Sequence, residues 1–420
     1  MYKVYFKQAV QMLLQNRFIS IISILGTALA IMMIMTIVVT DEIKTISIAP
    51  EINRDRILYI NYQAEFDTTG QSFRSGSLNY NVIDEYLLKM ESVELISSIS
   101  GYDHYHLMNV NREGSDEILN LIVRLTDDAY WKIMSFTFVE GRPFSKEESE
   151  SGIPLAVLSE TTARKLFKGE DAMGQIIQVH FRNYRVIGIV KDVSPVFKEA
   201  YSGIWLVGNV SGKDRGGYTA LLLAHDKKDF PLIIEEVRKI EKKMGANNPP
   251  WKYYLKGPEN QRIYTMDLGG NSMEDVERGI KINNRKMIFV LLVLLLIPAI
   301  NLSGFSLSRI KRRTAEIGIR KAFGAKKYII LIQVLYENLI TSLIGGFIGL
   351  IFSYLIVFRM RHWLLEVPAD SAIPGSMMVS LSVFLAVFLV CILLNLLSAG
   401  IPAYRASRMS IINSLNQNDK

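Results

Sequence analysis

Apolar residues follow two unlike patterns along the chain. Residues 18–40, 287–308, 328–357 and 377–400 form long apolar runs almost free of charge, whereas the stretch between the first two alternates with periods of two or near 3.6. Each run is long enough to cross a hydrocarbon core of about 30 Å, so four transmembrane helices are predicted. The first could instead be a cleaved leader with Ser47-Ile48-Ala49 as its cleavage site. That triplet lies well beyond the run, and the run is too long for a leader's apolar segment, so a retained span is expected. Ahead of it, Tyr2, Phe6, Ala9, Val10, Leu13 and Leu14 recur at helical spacing with Lys3, Lys7 and Arg17 around them. Residues 1–17 are therefore predicted to lie as an amphipathic helix on the inner membrane surface. Gly26-x-x-x-Ala30 and Gly345, Gly346 and Gly349 offer small-residue faces for close helix packing. Pro298 and Asn301 interrupt the second run, and Glu337 sits in the third, where a headgroup-level position favours a bland role.

Residues 41–286 read as a folded extracytoplasmic α+β domain. Strands are predicted over 56–62 and 119–125, and helices over 84–90 and over 229–244, the latter with Asp229 as cap and Pro231 in its first turn. The clearest unit runs over 153–193. Residues 155–158 form a buried strand, Ser159 caps a helix that turns Ala163, Leu166 and Phe167 inward, and Gly169 ends it. Residues 176–181 and 184–190 then pair as a hairpin about Arg182-Asn183. Met273, Val276, Ile280 and Met287 share one helical face, and Ile43 and Ile46 continue a similar stripe past the first span. Both segments are expected to act as a stalk. Trp131, Trp205 and Trp251 are expected in the core.

Hydrophobic residues make up 49% and charged ones 21%, with a net charge of +7. The basic excess flanks the apolar runs, where it orients a membrane protein with both termini inside, so it does not point to nucleic acid. Cys391 stands alone, which rules out an internal disulfide. His104 and His106 would share a strand face but lack a third ligand, so no metal site is expected. No GxxxxGK[ST], HExxH or GxSxG pattern occurs, so no cofactor or catalytic site is expected on this chain.

The region 309–327 carries eight basic residues and one acid, Glu316. Within it, 314–324 reads as a short helix. Thr314 can cap the first amides, Glu316 suits the positive end of the dipole, Arg320 and Lys321 suit the negative end, and Gly324 stops it. A cationic segment between two spans belongs on the cytoplasmic face.

EIGIRKAFGA (316–325), YENLITSLIGGFIG (336–349) and IPAYRASRMS (401–410) resemble the permease domain of MacB/FtsX-type ABC transporters. GRPFSKEE (141–148), PLAVLSETTARKLFKGEDAMGQIIQV (154–179) and the opening FKQAVQMLLQNR resemble the periplasmic core domain and entry of the MacB-like proteins. Ser410-Ile411 departs from the family, which usually has an Asp/Asn-Pro pair there. The resemblance implies a permease subunit that lacks a fused ATPase and works with a separate ABC ATPase holding ATP and Mg. It also implies a dimer, with itself or with a related permease, in the cell inner membrane. Motion would pass by mechanotransmission to the outer domain, for efflux or extraction of an extracytoplasmic substrate, with a periplasmic adaptor as a further partner left open. The alternative is an FtsX-like regulator that activates an extracytoplasmic cell-wall hydrolase. The family's coupling helix maps onto this chain at Arg312, Arg313, Glu316, Ile317, Gly318, Arg320, Lys321 and Gly324. The expected order is an amphipathic helix (1–17), a span (18–40), the outer domain (41–286), a span (287–308), the coupling segment (309–327), a span (328–357), an outer loop (358–376), a span (377–400) and a cytoplasmic tail (401–420).

Overall fold

The computed structural model describes residues 11, 13–15, 17–67, 72–100, 107–208, 217–270, 272–312, 314–324, 326–365, 367 and 381–408. Helix α1 (Arg17–Thr45) leads to strands β1 (Ile57–Ile60), β2 (Tyr62–Asp67) and β3 (Phe73–Ser77), then helix α2 (Tyr80–Glu85). Strands β4 (Leu95–Ser100), β5 (Leu107–Arg112) and β6 (Leu119–Thr126) precede α3 (Asp128–Ile133), β7 (Phe138–Gly141) and α4 (Lys146–Ser151). Next come β8 (Leu155–Ser159), α5 (Glu160–Phe167), β9 (Ile176–Val179), β10 (Arg182–Val190), β11 (Ile204–Val207) and β12 (Tyr218–Leu223). Helix α6 (Phe230–Asn247), β13 (Trp251–Lys256), β14 (Glu259–Asn260) and α7 (Gln261–Tyr264) follow. The chain ends in α8 (Met273–Arg312), α9 (Thr314–Ala322), α10 (Lys327–Leu364) and α11 (Leu381–Arg408). Residues 1–43, 283–366 and 374–420 form one unit, and 44–282 with 367–373 form the other.

Three sheets build the second unit. One has the order β14-β1-β12-β4 and another β13-β2-β3. The largest runs β7-β10-β8-β11-β6-β5-β9, and β9 also pairs with β10, so six of its strands close into a ring. Helix α5 packs on this ring through Ala163, Leu166 and Phe167, joining a core with Ile177, Val179, Tyr184 and Val186. Strand β1 is buried on both faces. Leu58 and Ile60 join a cluster with Val82 of α2 and Ile233 and Val237 of α6. Ile57 and Tyr59 join Trp205, Tyr130 and Leu221 on the opposite side. A strand covered on both sides has no reason to alternate polar with apolar, and β1 and β12 do not.

Local signals set several boundaries, the Ser159 cap and the buried strand before it as expected. Ser159 Oγ accepts the Thr162 N–H at 3.3 Å, and β8 is buried throughout. Ser145 and Glu148 form a reciprocal capping box at α4, which ends on left-handed Gly152 (φ +62°). Other expectations need correction. The helix expected over 84–90 starts earlier, because Asn79 accepts the Asn81 N–H, and a 3₁₀ turn over Leu87–Lys89 follows it. Asp229 precedes α6 without capping it, since its carboxylate accepts the Asp226 N–H at 3.0 Å. The β9–β10 hairpin turns at His180 and Phe181 (φ +47° and +69°), so Val179 pairs with Arg182. The far half of β10 is committed to β7, which leaves Arg182–Arg185 as the part that β9 can join.

In the first unit the helices outrun their apolar cores. Among the described residues, α1 and α10 are long and apolar enough to cross a membrane, and in α11 the apolar stretch is Leu381–Val390. Helix α10 continues to Leu364, so the outer loop expected from 358 begins as helix, and α11 carries helix to Arg408 into the expected tail. Helix α8 is one continuous helix of 40 residues that includes both the expected stalk segment and the second apolar run. No intervening Gly or Pro cluster separates those two segments. Residues 1–10, His104, His106 and 409–420 lie outside the described residues.

Candidate functional site

Helix α9 is amphipathic at the level of single residues. Ile317, only 6% exposed, packs into a cluster with Ile310 of α8, Ile330 and Val334 of α10 and Ala403 of α11. Thr314 and Gly318 are buried beside it. Thr314 is the first residue of α9. Its Oγ1 donates to the Ile310 carbonyl at 3.3 Å, the back-bond of a threonine that sits inside a helical turn. The helix closes with the Phe323 N–H on the Ile319 carbonyl at 3.0 Å, and Gly324 takes φ +91°. Lys326 then starts α10 from an extended backbone.

The opposite side of α9 is open. Ile319 is 50% exposed and Phe323 88%. Of the residues grouped from sequence as coupling residues, Ile317 and Gly318 are buried, and Ile317 packs against α8, α10 and α11. Sequence reading missed Phe323 and Ile319. Their signal was present, as two large apolar residues four apart in an otherwise cationic segment. The side chains of Arg312, Glu316, Arg320 and Lys321, and all of Arg313, lie outside the described residues.

Contact between α1 and α10 rests on small residues. A Cβ on Gly345 would lie 2.9 Å from the Ile24 carbonyl oxygen and from Thr27 Cβ, and one on Gly349 would lie 2.6 Å from the Ala28 carbonyl oxygen. At Gly346 a Cβ would strike the Phe388 ring of α11. Ser20, Ser23, Thr27 and Ile31 form the buried stripe of α1, and Ala30 is buried while Gly26 is half-buried. Glu337 is buried in α10.

A second concentration of ionisable side chains lies within the 44–282 unit. Glu51 and Arg54 pair at 2.5 Å, both almost fully buried. Glu51 Oε1 also accepts the N–H groups of Glu199 (3.0 Å) and Ala200 (2.9 Å). Arg54 donates to the carbonyls of Ile46 (3.2 Å) and Val196 (3.0 Å). Glu199 lies 3.6 Å from Arg124 and accepts the Tyr264 hydroxyl at 2.6 Å. Arg124 donates to the carbonyls of Lys198 and Tyr201 at 2.5 and 2.9 Å. Tyr130 donates to the Glu199 carbonyl at 2.9 Å and receives Trp205 Nε1 at 3.3 Å. Burial raises the Glu199 carboxyl above its ordinary value, with Arg124 and Tyr264 pulling the other way. Among the described residues no group of three or more His, Cys, Asp or Glu is placed to hold a metal.

The description "MacB-like periplasmic core domain" matches residues 20–239, more than half of the 420 residues, and "FtsX-like permease C-terminal" matches 288–411. The macrolide export ATP-binding/permease protein MacB of Bdellovibrio bacteriovorus is 24% identical over 303 residues, covering 68% of this chain and 42% of that protein. MacB of Escherichia coli K12 is 26% identical over 294 residues, with the same coverage of 68% and 42%. The chain thus spans about two fifths of the length of the curated relatives it matches. The periplasmic region of MacB from Actinobacillus actinomycetemcomitans superposes with a TM-score of 0.35 at 12% identity, covering 50% of this chain and 94% of that one.

Proposed function

The chain belongs to the MacB/FtsX-type permease family of ABC transporters, and from that premise we propose that it converts ATP hydrolysis by an ABC ATPase into movement of its 44–282 unit. In this reading it is a non-catalytic transmembrane subunit. Helices α1, α8, α10 and α11 supply four spans, both termini are cytoplasmic, and the 44–282 unit works outside. Two such permeases, identical or related, stand over a pair of ATPases that hold the ATP and Mg. The outer unit moves an extracytoplasmic cargo without that cargo crossing the bilayer through this chain. A macrolide, after which the related export proteins are named, is the first substrate to try.

What supports this reading is α9. A short helix anchored by Ile317 to the ends of three long helices leaves Ile319 and Phe323 uncovered in a strongly cationic segment. An exposed aromatic of that size next to a buried anchor fits a docking knob for a protein partner. Because α9 is locked to α8, α10 and α11, a push on it is delivered to long helices and not absorbed in a loop.

Reversing charge with Arg320→Glu and Lys321→Glu tests it. In proteoliposomes with the partner ATPase, the expected outcome is loss of macrolide-stimulated ATP turnover by about tenfold, equivalent to roughly 1.4 kcal/mol of coupling, with insertion unchanged. Undiminished stimulation in the double variant would refute α9 as the coupling element. Stimulation by a cell-wall hydrolase partner in place of cargo would favour the regulatory reading.

A further inference from the structure

Two segments far apart in sequence, the chain leaving α1 and the chain entering α8, converge on one loop. Residues 194–201 link β10 to β11, both strands of the seven-stranded sheet. From the α1 side, Glu51 holds the N–H groups of Glu199 and Ala200, and Arg54 holds the Val196 carbonyl. From the α8 side, Tyr264 donates to the Glu199 carboxylate while its ring stacks on Tyr59 at 4.3 Å. The two ends are also tied to each other, since Gln261 Nε2 donates to the Lys44 carbonyl at 3.0 Å. From the sheet, Arg124 of β6 grips the loop by two carbonyls and lies beside Glu199.

We infer that this buried cluster is a joint, with Glu199 as its central positioning residue, that fastens both ends of the 44–282 unit to the 194–201 loop. Displacement of either end is thereby delivered to the seven-stranded sheet at a single place. The argument is energetic as well as geometric. Well-packed apolar side chains would hold these segments about as tightly as two buried ion pairs do, because desolvation cancels much of the Coulomb attraction. What charged and hydrogen-bonded contacts add is direction, since each fixes a distance and an angle, whereas apolar surfaces can slide. Glu199 carries four of these constraints, through its N–H, its carbonyl and both carboxylate oxygens. The inference rests on the proposed function only for the source of the displacement.

Tyr264→Phe removes one hydroxyl and keeps the ring stack, so the fold survives the test. Hydrogen exchange is measured on the full chain in detergent. The expected result is faster exchange, by about tenfold, across residues 194–201 and 46–56 together, with β8 and β12 still protected. Faster exchange confined to 261–265, or none, would overturn the joint. Glu51→Gln, approached from the other end, should loosen 194–201 and 261–265 in the same way, and an effect limited to its own segment would overturn it equally. With the ATPase present, nucleotide should alter exchange at 194–201 in the native chain and not in Tyr264→Phe. No nucleotide response in the native chain, with the detergent result intact, would defeat the functional reading and leave the joint standing.

Discussion

The helical unit and the 44–282 unit hold their elements together by opposite means. In the first, the contact faces carry Ser20, Ser23, Thr27, Gly345 and Gly349, while Phe18, Leu25, Leu29, Phe347 and Leu355 are exposed. In the second, Trp205, Tyr130, Phe167 and Leu221 are inside. The surroundings explain the inversion. Lipid tails are as apolar as leucine, so burying leucine against a neighbouring helix gains little there, and close backbone approach through small residues does the work. Water drives large apolar groups inward, at about 25 cal/mol per Å² of apolar surface removed from it. In the water-facing unit, buried ion pairs also fix geometry.

That contrast can be broken most forcefully at Trp205. Trp205→Ala should cost about 3–5 kcal/mol through lost burial and a cavity beside Phe136 and Trp131. Pulse proteolysis of the full chain should cut the 44–282 unit first. A substitution that left proteolysis unchanged would mean this core does not hold the unit. Next in size, Gly349→Leu should cost about 1–3 kcal/mol by overpacking against the Ala28 backbone. It should lower the detergent melting temperature without changing protection in the 44–282 unit. A neutral result would show that α1 and α10 can separate at little cost.

The smallest effect concerns a surface carboxylate. The Arg142 guanidinium holds Glu148 down to about 2. A carboxyl lowered in the folded state stabilises above its unfolded value, and that contribution fades as pH falls from about 4.5 toward 2. Glu148→Gln should therefore lower the neutral part of the melting profile slightly, the loss kept small by the exposed Arg142 side chain, and rejoin the native profile as pH falls toward 2, which flattens the acid limb. An unaltered acid limb would mean that the Arg142 pair does not form in solution.

Features built from neighbours in the chain were legible without a structure. The Ser159 cap, the buried strand before it and the inward Ala163, Leu166 and Phe167 all follow from spacing within ten residues or so. The short cationic helix over 314–324 was legible as well, but not that Ile317 packs inward, because only the ends of α8, α10 and α11 define the inner side. The hairpin turn was misplaced by two residues for the same reason, since β7 claims the far half of β10.

Composition and periodicity determined by themselves the alternation of apolar runs with an α+β stretch, the cationic segment between two runs and the lack of an internal disulfide. Those properties depend on local chain chemistry, which needs no partner to be expressed. The tertiary structure alone decided that Glu51, Arg54, Arg124, Glu199 and Tyr264 form one buried cluster. No spacing rule connects residues from four separate segments, and each reads in isolation as an ordinary surface charge or core tyrosine. Their meeting depends on long-range strand pairing that brings β6, β11 and the two ends of the unit to one loop, and that pairing is a property of the folded chain.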